Sequence, residues 1–340
     1  MTEGMRHLVI ETPGRVAWRE TRRPTLQSGL DAIVRPIVVG RCDLDVGFVR
    51  GLVPIASGEP IGHECIAEVV EIGESVATVC PGMRVVVAAQ ISCGICRACR
   101  LGLTGRCESV PFGASFGMGR PGNFGGALAD YVRVPFADSM LVPVPEGLDP
   151  IGLIGAADMA LDAWRAVGAP LLQRPGSEVL VLGGKAKVIA LYAVALGLAL
   201  GAGRVVFVAT EPEERARAAA LGARVTEALA PEHGRFDIIV DACGEPAVLP
   251  ALIRAAAPEA IVTTVVFYED EIRLPQRELY FRGITLRMGR PNLRPAMDHV
   301  LSLCRSGVFH PGDVEPSVFA FDDAVDAWLS EDLRTVVSRA

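Results

Sequence analysis

Several things are missing from this chain. No Lys/Arg run stands out along its 340 residues, and the formal net charge is -7. Nucleic acid and anionic membrane surfaces are therefore not expected as main partners. The longest apolar stretch, near 188–202, falls short of the roughly 18 residues of a membrane span and carries glycines. The opening MTEGMRHLVIETPGR has no basic region followed by a long apolar run, so no secretory signal is expected and the cytoplasm is the expected location. No internal repeat and no low-complexity segment occur. What is present is a composition that is half hydrophobic, enough for a large core, and a length that suggests two domains. The nine cysteines should stay reduced in the cytoplasm, where closely spaced ones are better read as metal ligands than as disulfides.

The first 150 residues are rich in β-branched runs cut by Gly and Pro, such as VIETPGRVAWRE, AIVRPIVVG, CIAEVVEIG and MRVVVAA. They predict a barrel-like or irregular β domain that ends at LVPVPEGLDP. Beyond it the pattern alternates. Helices are expected over 151–167, 189–200, 211–221 and 247–256, and strands over 178–182, 204–209, 236–242 and 260–267. That alternation predicts βαβ units and a parallel sheet. The tail should hold helices over 295–306 and 319–329.

CGICRACRLGLTGRC places Cys93, Cys96, Cys99 and Cys107 at C-x2-C-x2-C-x7-C. Thiolates suit tetrahedral zinc, and two-residue spacers let neighbouring thiolates point at one ion. An iron–sulfur cluster is the rival reading, although the usual proline after the last cysteine is absent. With four protein ligands the ion would have no position for substrate, so its role should be to fold a surface lobe.

Three further pieces are weak alone: Cys42 in GRCDLD, His63 and Glu64 in IGHE, and Asp158 in AADMALDAW. Together with Asp45, EVVEIG after the GHE, the cysteine lobe and GGALADYVRVP at 125–135, they resemble the medium-chain dehydrogenase/reductase superfamily, in particular its zinc-dependent alcohol dehydrogenases. The resemblance covers nearly the whole length. It implies an α/β fold class, with a GroES-like β-rich catalytic domain at 1–155 and 292–340, carrying the zinc lobe at about 93–107. A doubly wound Rossmann-type parallel-sheet domain at 156–291 would bind the cofactor.

The resemblance also implies that Cys42, His63 and a third ligand hold a catalytic zinc. That ligand lies seven residues before the position of Arg165, which is Asp158. With the lobe, two zinc ions per chain are expected. Glu64 would lie beside this zinc. The implied partners are a small-molecule alcohol, aldehyde or ketone and further copies of the chain, as a homodimer or homotetramer. The implied cofactor is NADP or NAD.

Two departures from the family stand out. Relatives usually carry Ser or Thr two residues after the zinc cysteine, and often His five after it, to pass the alcohol proton to solvent. Here Leu44 and Gly47 hold those places, and Asp43 or water is the replacement relay considered. The cofactor loop reads VLVLGGKAKVIALY instead of G-x-G-x-x-G. Gly183 and Gly184 supply the turn, and Lys185 and Lys187 are candidate phosphate contacts. Where relatives end the second strand in an acid that holds the NAD ribose, this chain has Ala209. Thr210 and Arg215 are the nearby candidates for a ribose or 2′-phosphate, so NADP is slightly favoured. Phe48, Phe116 and Trp164 are candidate pocket residues, and 111–126 is a Gly-rich loop that would shape an entrance or merely connect.

The leading expectation is therefore a zinc- and nicotinamide-dependent dehydrogenase or carbonyl reductase. An imine or conjugated-alkene reductase, or a redox-neutral zinc enzyme, would fit the missing relay and altered loop on the same fold. From another class, a non-catalytic zinc-stabilised binding protein is the remaining reading.

Overall fold

The computed structural model describes residues 4–119, 121–269 and 271–339. The chain forms two units. One comprises Met1–Asp158, Asn292–Arg305 and Glu315–Ala340, and the other Met159–Pro291 and Ser306–Val314.

The first unit is built on a seven-stranded sheet. Its long central strand, Ala32–Arg41, pairs antiparallel with Glu64–Ile72 on one side and with Thr335–Ser338 on the other. These strands are almost wholly buried, which is why they read as near-continuous β-branched runs. The pairing matters for function because it brings three distant segments to one place. Gly40 stands opposite Glu64 in one ladder, and Arg41 stands opposite Thr335 in the other.

The helix Leu293–Arg305 closes against the same unit through Leu293, Ala296, Met297, Val300, Leu301 and Cys304, an apolar stripe at helical spacing.

In the second unit six strands form one wholly parallel sheet. Their spatial order is Arg224–Thr226, Arg204–Val208, Glu178–Leu182, Phe236–Asp241, Ala256–Thr264 and Thr285–Arg287. The order runs outward from Glu178–Leu182 in both directions, which is the doubly wound pattern with its switch point beside Phe236–Asp241. Both faces of the inner strands are covered, so VLVL and VVFV are buried residue after residue.

The structure corrects several readings. The helix expected over 151–167 is broken into Pro150–Leu153, a 3-10 turn Ile154–Ala157, Met159–Ala163 and a π-helical turn Trp164–Gly168. The break falls at Asp158, whose backbone (φ -153, ψ -78) is neither helical nor regular strand. The last expected helix, over 319–329, is a strand Ser317–Ala320, a 3-10 turn and a shorter helix Ala324–Leu329. The strands Arg224–Thr226, Thr285–Arg287 and Thr335–Ser338 carry too few residues to show a period.

The middle of the Gly-rich loop, 114–118, is buried and acts as a clamp. A Cβ on Gly117 or Gly126 would overlap the backbone at Gly62 or Ile61, so the loop lies directly on the residues that lead into His63.

Candidate functional site

Cys42, His63 and Asp158 come together in the first unit, with one donor atom of each within 4.8 Å of the others. Local structure explains each placement. Cys42 is the N-cap of the helix Asp43–Val49, and its Sγ accepts from Leu44 N at 3.2 Å. Asp45 closes the cap in return, its Oδ2 accepting from Cys42 N at 3.0 Å. His63 immediately precedes the strand Glu64–Ile72 and is only 1 % exposed. The break in the expected helix turns Asp158 toward it, with Oδ2 at 3.4 Å from His63 Nε2.

The electrostatics are those of a site short of positive charge. Burial alone would lower the His63 pKa, but Cys42, Asp45 and Asp158 around the ring raise it well above the ordinary value. Burial pushes the Cys42 thiol up to about 12, against the pull of His63. Burial also raises Asp45, despite His63 and the Cys42 N–H. Neither ring nitrogen of His63 makes a hydrogen bond among the described residues. A fully buried imidazole with two idle nitrogens is costly unless something else occupies them. One thiol, one imidazole and one carboxylate suit a divalent zinc ion in donor type and span. The residues present therefore fit a metal.

Glu64 is fully buried, and its Oε2 meets Arg334 Nη1 at 2.6 Å. Arg334 also donates to Arg41 O at 3.3 Å. Burial raises the Glu64 pKa while Arg334 lowers it. A Cβ on Gly40 would overlap the Glu64 carboxylate, so only glycine fits there. Arg41 in turn donates to the carbonyls of Ala327, Trp328, Ser330 and Asp332, tying the strand end before Cys42 to the C-terminal segment. Gly40, Arg41 and Arg334 were not legible in the sequence. They matter through pairing between distant strands, and no local pattern marks them. Asp45 had a signal, since an acid three residues after a capping residue is a capping-box pattern.

The four lobe sulfurs also converge, within 4.8 Å of one another. Cys96 and Cys107 Sγ are 4.0 Å apart, about twice a disulfide length. N–H and O–H groups ring the cluster. Cys96 N donates to Cys93 Sγ at 3.3 Å, Cys99 N and Glu108 N to Cys96 Sγ at 3.4 Å each, and Ser109 Oγ to Cys93 Sγ at 3.2 Å. For Cys93, burial raises the pKa, but the bonds from Ser109 and from the Ile95 and Cys96 N–H groups bring it down to about 6. Backbone donors from Glu108 and Cys99 lower Cys96 too. Burial raises Cys99 and Cys107.

In the second unit Gly183 and Gly184 form the turn after Glu178–Leu182, and Lys187 opens the helix Lys187–Ala199. Ala186 caps that helix without a side-chain bond. Lys185 Nζ donates to Gly244 O at 3.1 Å, and Arg215 Nη1 to Ala209 O at 2.5 Å and Thr210 O at 2.7 Å. Thr210 is exposed. Asp43 is half-buried in the first turn of Asp43–Val49. Phe48, Phe116 and Trp164 are 2 %, 2 % and 5 % exposed, so each is buried.

A doubly wound parallel sheet in one unit and a Cys, His and Asp cluster in the β-rich other are together the features of a class of two-unit metal-dependent oxidoreductases. Comparison with known proteins agrees. Residues 28–146 match the alcohol dehydrogenase GroES-like domain. A probable zinc-binding alcohol dehydrogenase of Mycobacterium tuberculosis is 28% identical over 97% of this chain and 86% of its own length. The solved alcohol dehydrogenase from Thermus sp. ATN1 is 30% identical, with a TM-score of 0.88 over 98% of this chain and 99% of that one. Acetophenone reductase from Geotrichum candidum, solved in complex with NAD, shares the fold at 21% identity and a TM-score of 0.82, over 99% of this chain and 98% of that one. The chain belongs to the zinc-type alcohol dehydrogenase family of medium-chain dehydrogenases, and is an oxidoreductase of that family. No helix among the described residues is long and apolar enough to cross a membrane.

Proposed function

We propose that the protein transfers hydride between a nicotinamide cofactor and an alcohol or carbonyl substrate at a zinc site made by Cys42, His63 and Asp158. The observation that carries this reading is the buried His63, whose idle nitrogens sit among a thiol and two carboxylates. Cys93, Cys96, Cys99 and Cys107 would hold a second zinc with a structural role. When bound, the catalytic zinc supplies a Lewis acid and the nicotinamide a hydride acceptor or donor.

The chain's own residues do the rest. Cys42, His63 and Asp158 would hold the ion, with Cys42 and Asp158 as negative donors, and three protein ligands would leave room for substrate. Asp45 faces the other ring nitrogen of His63 at 3.8 Å and orients the imidazole. Arg334 holds Glu64 beside the site and keeps its carboxylate from drifting onto the ligands. Gly183, Gly184 and Lys185 would serve the cofactor pyrophosphate, with Lys187 held on Glu214 instead, and Thr210 and Arg215 would line the ribose end. Asp43, in the first turn after Cys42, carries the alcohol proton that Leu44 and Gly47 cannot carry.

The same reading implies a small alcohol, aldehyde or ketone as substrate, a homodimer or homotetramer, and a cytoplasmic setting that keeps the thiols reduced. The side chains at Leu44 and Gly47 favour one second reading, an imine or conjugated-alkene reductase, which need not deprotonate an alcohol.

Metal analysis together with a panel of alcohols, aldehydes, imines and enones, followed by the absorbance of the reduced nicotinamide, tests these readings. Two zinc ions per chain and turnover of the alcohol–carbonyl pairs are expected. Turnover of imines or enones alone would select the second reading. Turnover of the alcohol pairs with an unchanged pH–rate profile in Asp43→Asn would remove Asp43 as the relay.

A further inference from the structure

The chain keeps lysine for one loop. Of its 33 basic residues only Lys185 and Lys187 are lysines, and both follow the glycine turn. Lys187 Nζ lies 3.2 Å from Oε1 of Glu214, a residue in the first turn of the helix Pro212–Leu221. Glu214 is 1% exposed. Its Oε2 lies 2.6 Å from the point where a Cβ on Gly183 would stand, and the Ala209 methyl lies 3.2 Å from the same point. The carboxylate and the methyl thus share one small space beside the glycine turn.

That space has a known chemistry. In doubly wound nucleotide folds a carboxylate at the second strand's end bonds the ribose 2′-hydroxyl of NAD, and its charge disfavours the 2′-phosphate of NADP. Here the strand ends in a methyl, at Ala209. The first turn of the next helix sends a carboxylate into the space the methyl leaves open. Burial raises the Glu214 pKa and Glu211 adds to the rise, while the Lys187 ammonium and the Gly184 N–H offset part of it. Arg215, the cation nearest in sequence, is folded onto the Ala209 and Thr210 carbonyls and does not neutralise it.

We propose that Glu214 selects NAD(H) over NADP(H), in place of the strand-end carboxylate that Ala209 lacks, with Lys187 holding it beside the glycine turn. This rests on the hydride-transfer reading above. A 2′-phosphate brought to this position meets a buried negative charge, where repulsion is poorly screened. Lys187 is already committed to Glu214 and offers that phosphate no free charge. Ala209 taken alone points to NADP, and Glu214 reverses that preference.

Fluorescence titration of the zinc-loaded protein with NADH and with NADPH tests the assignment directly. The unaltered protein should bind NADH at least about tenfold more tightly. Glu214→Gln should shrink the ratio of the two dissociation constants by about tenfold or more, mainly through tighter NADPH binding as Lys187 is released. Glu214→Asp should keep the ranking. Adding Ala209→Asp to Glu214→Gln should restore the preference for NADH by returning a carboxylate to the strand end. Thermal unfolding of each variant without nucleotide separates misfolding from altered binding. An NADPH preference in the unaltered protein overturns the proposal. So does an unmoved ratio in Glu214→Gln when both nucleotides bind, and that result leaves the hydride-transfer reading standing. Binding of neither nucleotide overturns both.

Discussion

The two metal-ligand clusters use overlapping chemistry in opposite settings. The lobe gathers four thiols from one stretch of 15 residues, 93–107, and surrounds them with backbone N–H donors. Those donors bring Cys93 down to about 6 and lower Cys96, while burial still raises Cys99 and Cys107. The other cluster draws Cys42, His63 and Asp158 from segments more than 20 and more than 90 residues apart. Burial opposes ionisation there, and the Cys42 thiol is pushed up to about 12. The lobe brings its four thiols together within one short stretch of chain. The buried cluster exists only because a whole sheet has folded around it. Loss of a ligand should therefore cost activity in one place and stability in the other.

The largest effect expected is at His63. His63→Ala should lower turnover by about three orders of magnitude or more, as loss of Lewis-acid activation implies. Zinc content should fall from two to one while circular dichroism stays native. Retained turnover would erase the distinction between the clusters. Next comes Arg334→Met, which leaves Glu64 as an uncompensated buried charge. Denaturant unfolding should show a loss of about 3 kcal/mol or more. Glu64→Gln in the same chain should recover part of it, and a double-mutant cycle without coupling would refute the pairing.

Cys99→Ser in the lobe should cost about 2 kcal/mol or more of stability and release one zinc to a chelator. Activity per zinc-loaded buried site should stay within about twofold of the parent. An activity loss as deep as that of His63→Ala would show that the lobe takes part in the chemistry. The smallest effect is expected from Ser109→Ala. It removes one hydrogen bond to Cys93 Sγ and should cost about 1 kcal/mol. Its clearest readout is faster zinc release to the chelator, with turnover unchanged.

The contrast also explains what could be read in advance. The lobe was legible as C-x2-C-x2-C-x7-C, because local spacing alone brings the thiols together. The parallel sheet was legible because strands buried on both faces must be apolar throughout, and VLVL and VVFV are. The break at Asp158 was not legible. The residues around it have helical composition, and the turn toward His63 is imposed by packing. The Gly-rich loop 111–126 was legible as a loop but not as the clamp over Gly62, because the contact lies more than 50 residues away in sequence. Glu214 was hidden for a similar reason. The helix Pro212–Leu221 carries three glutamates at or near its start, Glu211, Glu213 and Glu214, and composition does not say which one turns inward.

The amino-acid sequence by itself determined the two-part architecture, the four-thiol lobe and the three separated donors, because short-range spacing and burial periodicity encode them. Tertiary structure alone decided that Asp158 faces His63, that Arg334, just before the C-terminal strand, reaches Glu64 beside Gly40, and that the Glu214 carboxylate lies beside Gly183 near Ala209. Those contacts form only when long loops close, and the energy that holds them is pairing of buried charge, which exists once water has been excluded.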